Sequence, residues 1–160
     1  MAKKIAVVGL GNTLRKDDGI GIIILKLLVK NYKREQIDYF NLENCSFDLL
    51  YKIKDYDLVF LIDAIDAGLK VGEVKFGELK DLIPFLNSSL TLTHDFNLKD
   101  LLRFSQALGI KTKLYLIGIQ VKDTSFGESL SKELEEKKNK IIKEINGYIN
   151  KFLITHGERN

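Results

Sequence analysis

The 160-residue chain contains a single cysteine, Cys45. One cysteine excludes an internal disulfide and a cage of cysteine ligands around a metal, so we expect Cys45 to be a buried, inert thiol. No apolar run approaches the roughly 18 residues that span a membrane. The opening MAKKIAVVGL has no small-residue cleavage site after its apolar run, which argues against a signal peptide. These absences predict a cytoplasmic protein that does not bind a membrane.

Neither sign of charge dominates the chain, since 25 Lys and Arg stand against 22 Asp and Glu for a net charge of +3. Such a balance, with no interleaving of aromatic and basic residues, argues against a nucleic-acid partner. The length and the 45% hydrophobic content suit one globular domain. We predict a single domain over residues 1–153 and a frayed tail over 154–160 that includes a solvated His156. A monomer is expected, because no surplus apolar face is visible.

Apolar runs of strand length alternate with segments of helical periodicity. The strands are predicted at residues 5–8, 36–42, 58–62, 73–76 and 114–121. The helices are predicted at 19–32, 46–54 (capped by Ser46), a segment ending at 108 (capped by Asp95 or Asn97), and 129–152. This order favours an α/β protein, a three-layer α/β/α sandwich with a mostly parallel mixed sheet of about five strands.

The stretch GLGNTLRKDDGIG, residues 9–21, joins the first buried strand to the first helix. Glycines allow a sharp turn there, and we predict that Asp17 caps the helix while Asp18 lies at the carboxyl end of the strand, where open α/β sheets bind ligands. A dinucleotide fingerprint would need glycine at Leu14, and two acidic residues would repel a pyrophosphate. A purely structural alternative, with Asp18 as a solvated first-turn charge, stays open.

Asp63 follows a second buried strand, and His94 lies in a loop rich in Ser and Thr. Because the carboxyl ends of parallel strands share one edge of a sheet, Asp18 and Asp63 can be neighbours. Two carboxylates and an imidazole suit zinc, nickel, iron or manganese, and they leave coordination positions open. No local signature such as HExxH ties the three residues together, so the spacing alone also allows a loop histidine without a metal.

Asp66 and three serines are the other polar residues that could carry chemistry. Asp66 lies three residues beyond Asp63, in the following loop, and is expected to be an accessory polar residue and not a ligand. Serine catalysis is not favoured, because the chain has no GxSxG motif and no base can be assigned to Ser88, Ser89 or Ser105.

Four segments, in this order, resemble the hydrogenase maturation endopeptidases, which trim the C-terminal extension from the precursor large subunit of nickel-iron hydrogenases. The segments are GLGNTLRKDDGIG, DAIDAGLKVGEV, THDFNLKDLL and LIGIQVKDTSFGESLS. The resemblance implies that Asp18, Asp63 and His94 are both catalytic and metal-contacting residues. It also implies that the metal is nickel carried by the substrate, and that the partner is the precursor large subunit.

The chain departs from the family pattern at two places. It reads LENCSFDLL where many members have a glycine-rich loop after the second strand, and it has Gln120 and Val121 where many have a proline.

A hypothesis from another functional class is a non-catalytic module, either a nucleotide binder that uses GLGN or a nickel-handling chaperone that recognises the precursor without cutting it.

Overall fold

One sheet of five strands organises the computed structural model, which describes residues 2–43, 47–87 and 96–157. The strands are β1 (Ile5–Leu10), β2 (Ile37–Leu42), β3 (Leu58–Ile65), β4 (Val74–Glu78) and β5 (Lys113–Gln120). Their spatial order is β2-β1-β3-β5-β4. All neighbours pair in parallel except β4, which runs antiparallel to β5 at the edge. The mostly parallel mixed sheet predicted from the sequence is confirmed.

Helices cover both faces of the sheet. They are α1 (Ile20–Tyr32), α2 (Phe47–Ile53), α3 (Leu79–Leu82), α4 (Leu98–Ala107) and α5 (Lys132–Gly157), with 3-10 turns at Lys16–Gly19 and Ile83–Phe85. Successive strand residues point to opposite faces, so Val7 and Phe60 pack with α1 and α5, whereas Val8 and Leu61 pack with α2 and α4. These two cores make the α/β/α sandwich.

The local signals for α4 are confirmed. Asn97 accepts a hydrogen bond from the Asp100 amide at 3.0 Å, and the Asp100 carboxylate accepts one from the Asn97 amide at 3.2 Å. This reciprocal arrangement is a capping box. Gly109 ends the helix at a φ of +68°, as expected of a C-terminal glycine. The alternative cap Asp95, and the predicted roles of Cys45, Ser46, Ser88 and Ser89, lie outside the described residues.

Several predicted boundaries are wrong. β1 continues past residue 8 to Leu10, and β4 continues past residue 76 to Glu78. β3 does not end at Ile62 but continues through Asp63 to Ile65, because the buried Ala64 and Ile65 keep pairing with β5. The terminal helix, predicted over 129–152, begins at Lys132 and runs to Gly157. His156 is exposed, as expected, and its ring stacks on Phe152 at 4.1 Å between centroids. Among the described residues, no helix is long and apolar enough to cross a membrane.

Candidate functional site

The amino end of α1 packs directly on the carboxyl ends of β1 and β3. A side chain at Gly21 would collide with the carbonyl oxygens of Leu10 and Ile62, so only glycine lets the helix approach this closely. A side chain at Gly11, whose φ is +137°, would collide with the carbonyl oxygen of Asp18. The 3-10 turn Lys16–Gly19 is therefore held against the edge of the sheet where the sequence places a ligand site.

Asp18 lies in this turn and is buried, with 7% of its surface exposed. Its Oδ2 accepts a hydrogen bond from the Asn12 amide at 3.1 Å, and its own amide donates to the Arg15 carbonyl at 3.0 Å. The alternative of Asp18 as a solvated surface charge is thus wrong. The bond from Asn12 also fixes the orientation of the carboxylate relative to the end of β1.

Asp63 is half-buried and follows Ile62, whose carbonyl oxygen contacts the first turn of α1. The register places Asp63 beside Gly118 of β5, near the carboxyl edge of the sheet. The structure thus brings the two acid-bearing segments together at one edge. His94 lies outside the described residues, and its place in the site stays a prediction. Within the described ranges no group of three His, Cys, Asp or Glu residues could hold a metal ion.

Asp17 is not the cap of the first helix, and that prediction is wrong. Gly19 is the N-cap residue of α1 and makes no side-chain cap bond. The Asp17 carboxylate is fully buried and accepts hydrogen bonds from the amides of Lys122 and Asp123 at 3.1 Å each. It also accepts from the amide and hydroxyl of Ser131, at 2.6 and 2.9 Å. Asp17 therefore joins its own turn to the segment after β5.

Other bonds join the same two segments. The Lys16 ammonium pairs with the Asp123 carboxylate at 2.8 Å, and the Lys16 amide donates to the Gly127 carbonyl at 2.8 Å. The pKa of Asp123 is lowered below its usual value, first by the hydrogen bond from Lys16 and next by those from Ser125. The exposed carboxylate thus stays ionised, and paired with Lys16, at neutral pH.

Gln120 organises the loop after β3. From the sequence alone this residue is only a departure from the family pattern, with no predicted role. It is 4% exposed, and its Oε1 accepts from the amides of Ala67 and Leu69 at 2.8 and 3.2 Å. Its Nε2 donates to the Val121 carbonyl and, at 3.2 Å, to Asp66 Oδ1. Asp66 thus braces the loop, in keeping with an accessory role.

The described residues favour neither nucleotide binding at GLGN nor catalysis by Ser105. The Asn12 amide, which a phosphate bound at GLGN would use, already donates to Asp18. Ser105 is buried in α4, and its hydroxyl donates to the Leu102 carbonyl at 2.9 Å. Ser105 is therefore a structural residue of the helix.

Comparison with known proteins gives one consistent result. Residues 22–147 match the family model HycI, described as hydrogenase maturation protease. The hydrogenase expression/formation protein HupD of Thiocapsa roseopersicina is 27% identical over 152 residues, which cover 93% of this chain and 69% of HupD.

Solved structures show the same fold. The [NiFe] hydrogenase maturation protease HycI from Thermococcus kodakarensis superposes with a TM-score of 0.70 at 24% identity, over 91% of this chain and 92% of its own. The hydrogenase maturating endopeptidase HybD from E. coli gives 0.75 at 19% identity, over 92% and 93%. At these identities the structures are evidence for the fold alone.

Proposed function

Because the chain belongs to the hydrogenase maturation protease family, we propose that it removes the C-terminal extension of the precursor large subunit of a nickel-iron hydrogenase after nickel insertion. The observation that carries this proposal within the structure is the buried Asp18 carboxylate, oriented by the Asn12 amide at the sheet edge that also bears Asp63. A buried, oriented carboxylate at the carboxyl ends of strands is typical of a functional site in an open α/β sheet.

The nickel in this proposal belongs to the substrate. Asp18, Asp63 and His94 would complete its coordination, since carboxylate oxygen and imidazole nitrogen are suitable donors for nickel. Three such ligands form an open, weak site, so the affinity would come mainly from a metal that the precursor already holds. Cleavage would then follow only correct nickel loading, and the protease would act as a check on assembly.

The chemistry of cleavage needs an activated carbonyl or water and a group that takes up a proton. Substrate-borne nickel can polarise either of them, and a carboxylate at this edge can accept the proton. The position of Asp18 suits such a task, because its amide and one of its carboxylate oxygens are hydrogen-bonded to Arg15 and Asn12 of the preceding loop.

The decisive experiment incubates purified precursor, with and without nickel, with the wild-type protein and follows shortening on a gel. We expect shortening of the nickel-loaded precursor only. Replacing Asp18 by Asn, Asp63 by Asn or His94 by Ala should slow it at least about tenfold, as loss of an interaction made at the reacting centre does. Asp48→Asn is the matched control, because Asp48 is exposed on α2.

Each other outcome has a definite meaning. Equal cutting of nickel-free precursor, or undiminished cutting by His94→Ala, would remove the metal-sensing mechanism but not the membership of the family. Co-elution of the protein with an uncut precursor would instead favour the nickel-handling chaperone.

A further inference from the structure

Two large apolar side chains project from the segments that flank Asp18. Phe126 is 81% exposed and Leu14 is 58% exposed. Their backbones are neighbours, because the Gly127 amide donates to the Leu14 carbonyl at 2.9 Å and Arg15 bridges to Gly127. Both side chains therefore belong to one surface, which we call the loop platform and define as residues 12–18 and 122–131.

The hydrogen bonds that hold the loop platform in shape do not involve the side chains of Leu14 and Phe126. The buried Asp17 carboxylate receives four hydrogen bonds from the 122–131 segment. Arg15 Nε donates to the Thr124 carbonyl at 3.1 Å, and its guanidinium lies 5.1 Å from the centre of the Phe126 ring. A preformed surface loses little conformational entropy on binding, and aromatic and arginine side chains are enriched at the centres of protein interfaces.

The loop platform is continuous with the candidate site, since Asp18 itself lies in the 12–18 segment. A protein that brings its metal or its peptide to Asp18 approaches the 12–18 segment, to which the 122–131 segment is hydrogen-bonded. Leu108, although 67% exposed, ends α4 just before β5 begins, and so lies toward the opposite edge of the sheet. Leu108 is therefore exposed at a place remote from the edge of the sheet that bears Asp18.

We propose that the loop platform is the surface that binds the large-subunit precursor, with Leu14 and Phe126 packed against apolar side chains of that protein. This inference rests on the proposed function and names the part of the protease that the substrate contacts. The two apolar side chains supply affinity, whereas Asp18 and its partners act on the bound substrate. Substitutions of Leu14 and Phe126 therefore change binding without changing the chemical step.

The test compares wild type, the double variant Leu14→Ser/Phe126→Ser and the control Leu108→Ser. Binding of nickel-loaded precursor to the immobilised protein gives Kd, and cleavage at several precursor concentrations gives KM and kcat. We expect the double variant to raise Kd and KM at least tenfold, with kcat within twofold of wild type. Thermal midpoints should agree, because both replaced side chains are exposed. Leu108→Ser should match the wild type throughout.

Each contrary result points to one failure. If Kd of the double variant stays within twofold of wild type, or Leu108→Ser weakens binding equally, the loop platform is not the docking surface. If the wild type binds the precursor without cutting it and the double variant does not bind, the protease activity fails while the docking surface stands. Sedimentation of each protein alone tests whether the loop platform binds a second copy of this chain instead. A wild-type dimer that the double variant abolishes would assign the surface to that second copy and overturn the proposal.

Discussion

Asp17 and Asp18 are adjacent carboxylates with different surroundings. Asp17 is fully buried and receives its hydrogen bonds from residues more than 100 positions away, whereas Asp18 receives one from Asn12 within the same loop. Four hydrogen-bond donors occupy the buried Asp17 carboxylate and leave it unavailable to a substrate. Asp17 is therefore a structural residue, and Asp18 is the better candidate for chemistry.

Asp17→Asn should lower the free energy of unfolding by about 3 kcal/mol, because an amide group would face backbone donors in a buried site and the charged hydrogen bonds would be lost. The helix-cap interpretation predicts a much smaller loss. Urea unfolding of this variant and of the control Asp48→Asn would distinguish the two. A variant as stable as the control would contradict the role assigned to Asp17.

The carboxyl end of β5 connects the turn that bears Asp17 and Asp18 to the loop that follows β3. Gln120 binds the 66–69 loop that follows Asp63, and the amides of Lys122 and Asp123 bind Asp17. Both connections come from one short stretch, residues 120–123, at the end of β5. The placement of the Asp18 turn relative to the end of β3 thus depends on β5 as well as on β1 and β3.

Gln120→Leu should destabilise the protein by about 2 kcal/mol, because the half-buried amides of Ala67 and Leu69 would lose their acceptor. Asp66→Ala removes two hydrogen bonds that Asp66 accepts through its carboxylate and should cost about 1 kcal/mol while precursor cleavage is retained. Thermal unfolding and the gel assay measure both effects, with the exposed Gln106→Leu as control. Loss of cleavage in Asp66→Ala at unchanged stability would instead indicate a ligand.

At the scale of the whole molecule, α5 closes the core over one face of the sheet. Its buried side chains are Leu134, Ile141, Ile142, Ile145 and Ile149. Phe152 adds an edge-to-face contact with Phe60 at 5.3 Å between ring centroids. Beyond it, Ile154 is 69% exposed and His156 contacts mainly the same helix. The last turn of α5 therefore adds little to the core.

A chain that ends at Leu153 should fold, with a loss of about 1 kcal/mol and a decrease in Tm of roughly 2–4 °C. A chain that ends at Ile145 should not fold, because it removes Ile149 and Phe152 from the core. Circular dichroism melts of both truncated proteins test this. If removal of residues 154–160 prevented folding, the last turn would be part of the core.

The order of strands and helices could be predicted from the sequence because it follows from short-range periodicity. The α4 capping box is equally local, since Asn97 and Asp100 are three residues apart. The position of Asp18 at the edge of the sheet follows from the strand-turn-helix order, and the family could be recognised from motifs within continuous segments. Such features need no knowledge of which distant residues meet.

Only the tertiary structure decided what depends on partners far apart in the chain. Pairing with β5 extends β3 beyond Asp63, and donors at Lys122 and Ser131 make Asp17 a link between loops and not a helix cap. The loop platform likewise joins Leu14 to Phe126 across more than 100 residues. A hydrogen bond between such distant segments leaves no periodicity in the sequence, because its energy depends on packing that forms only when the whole sheet is assembled.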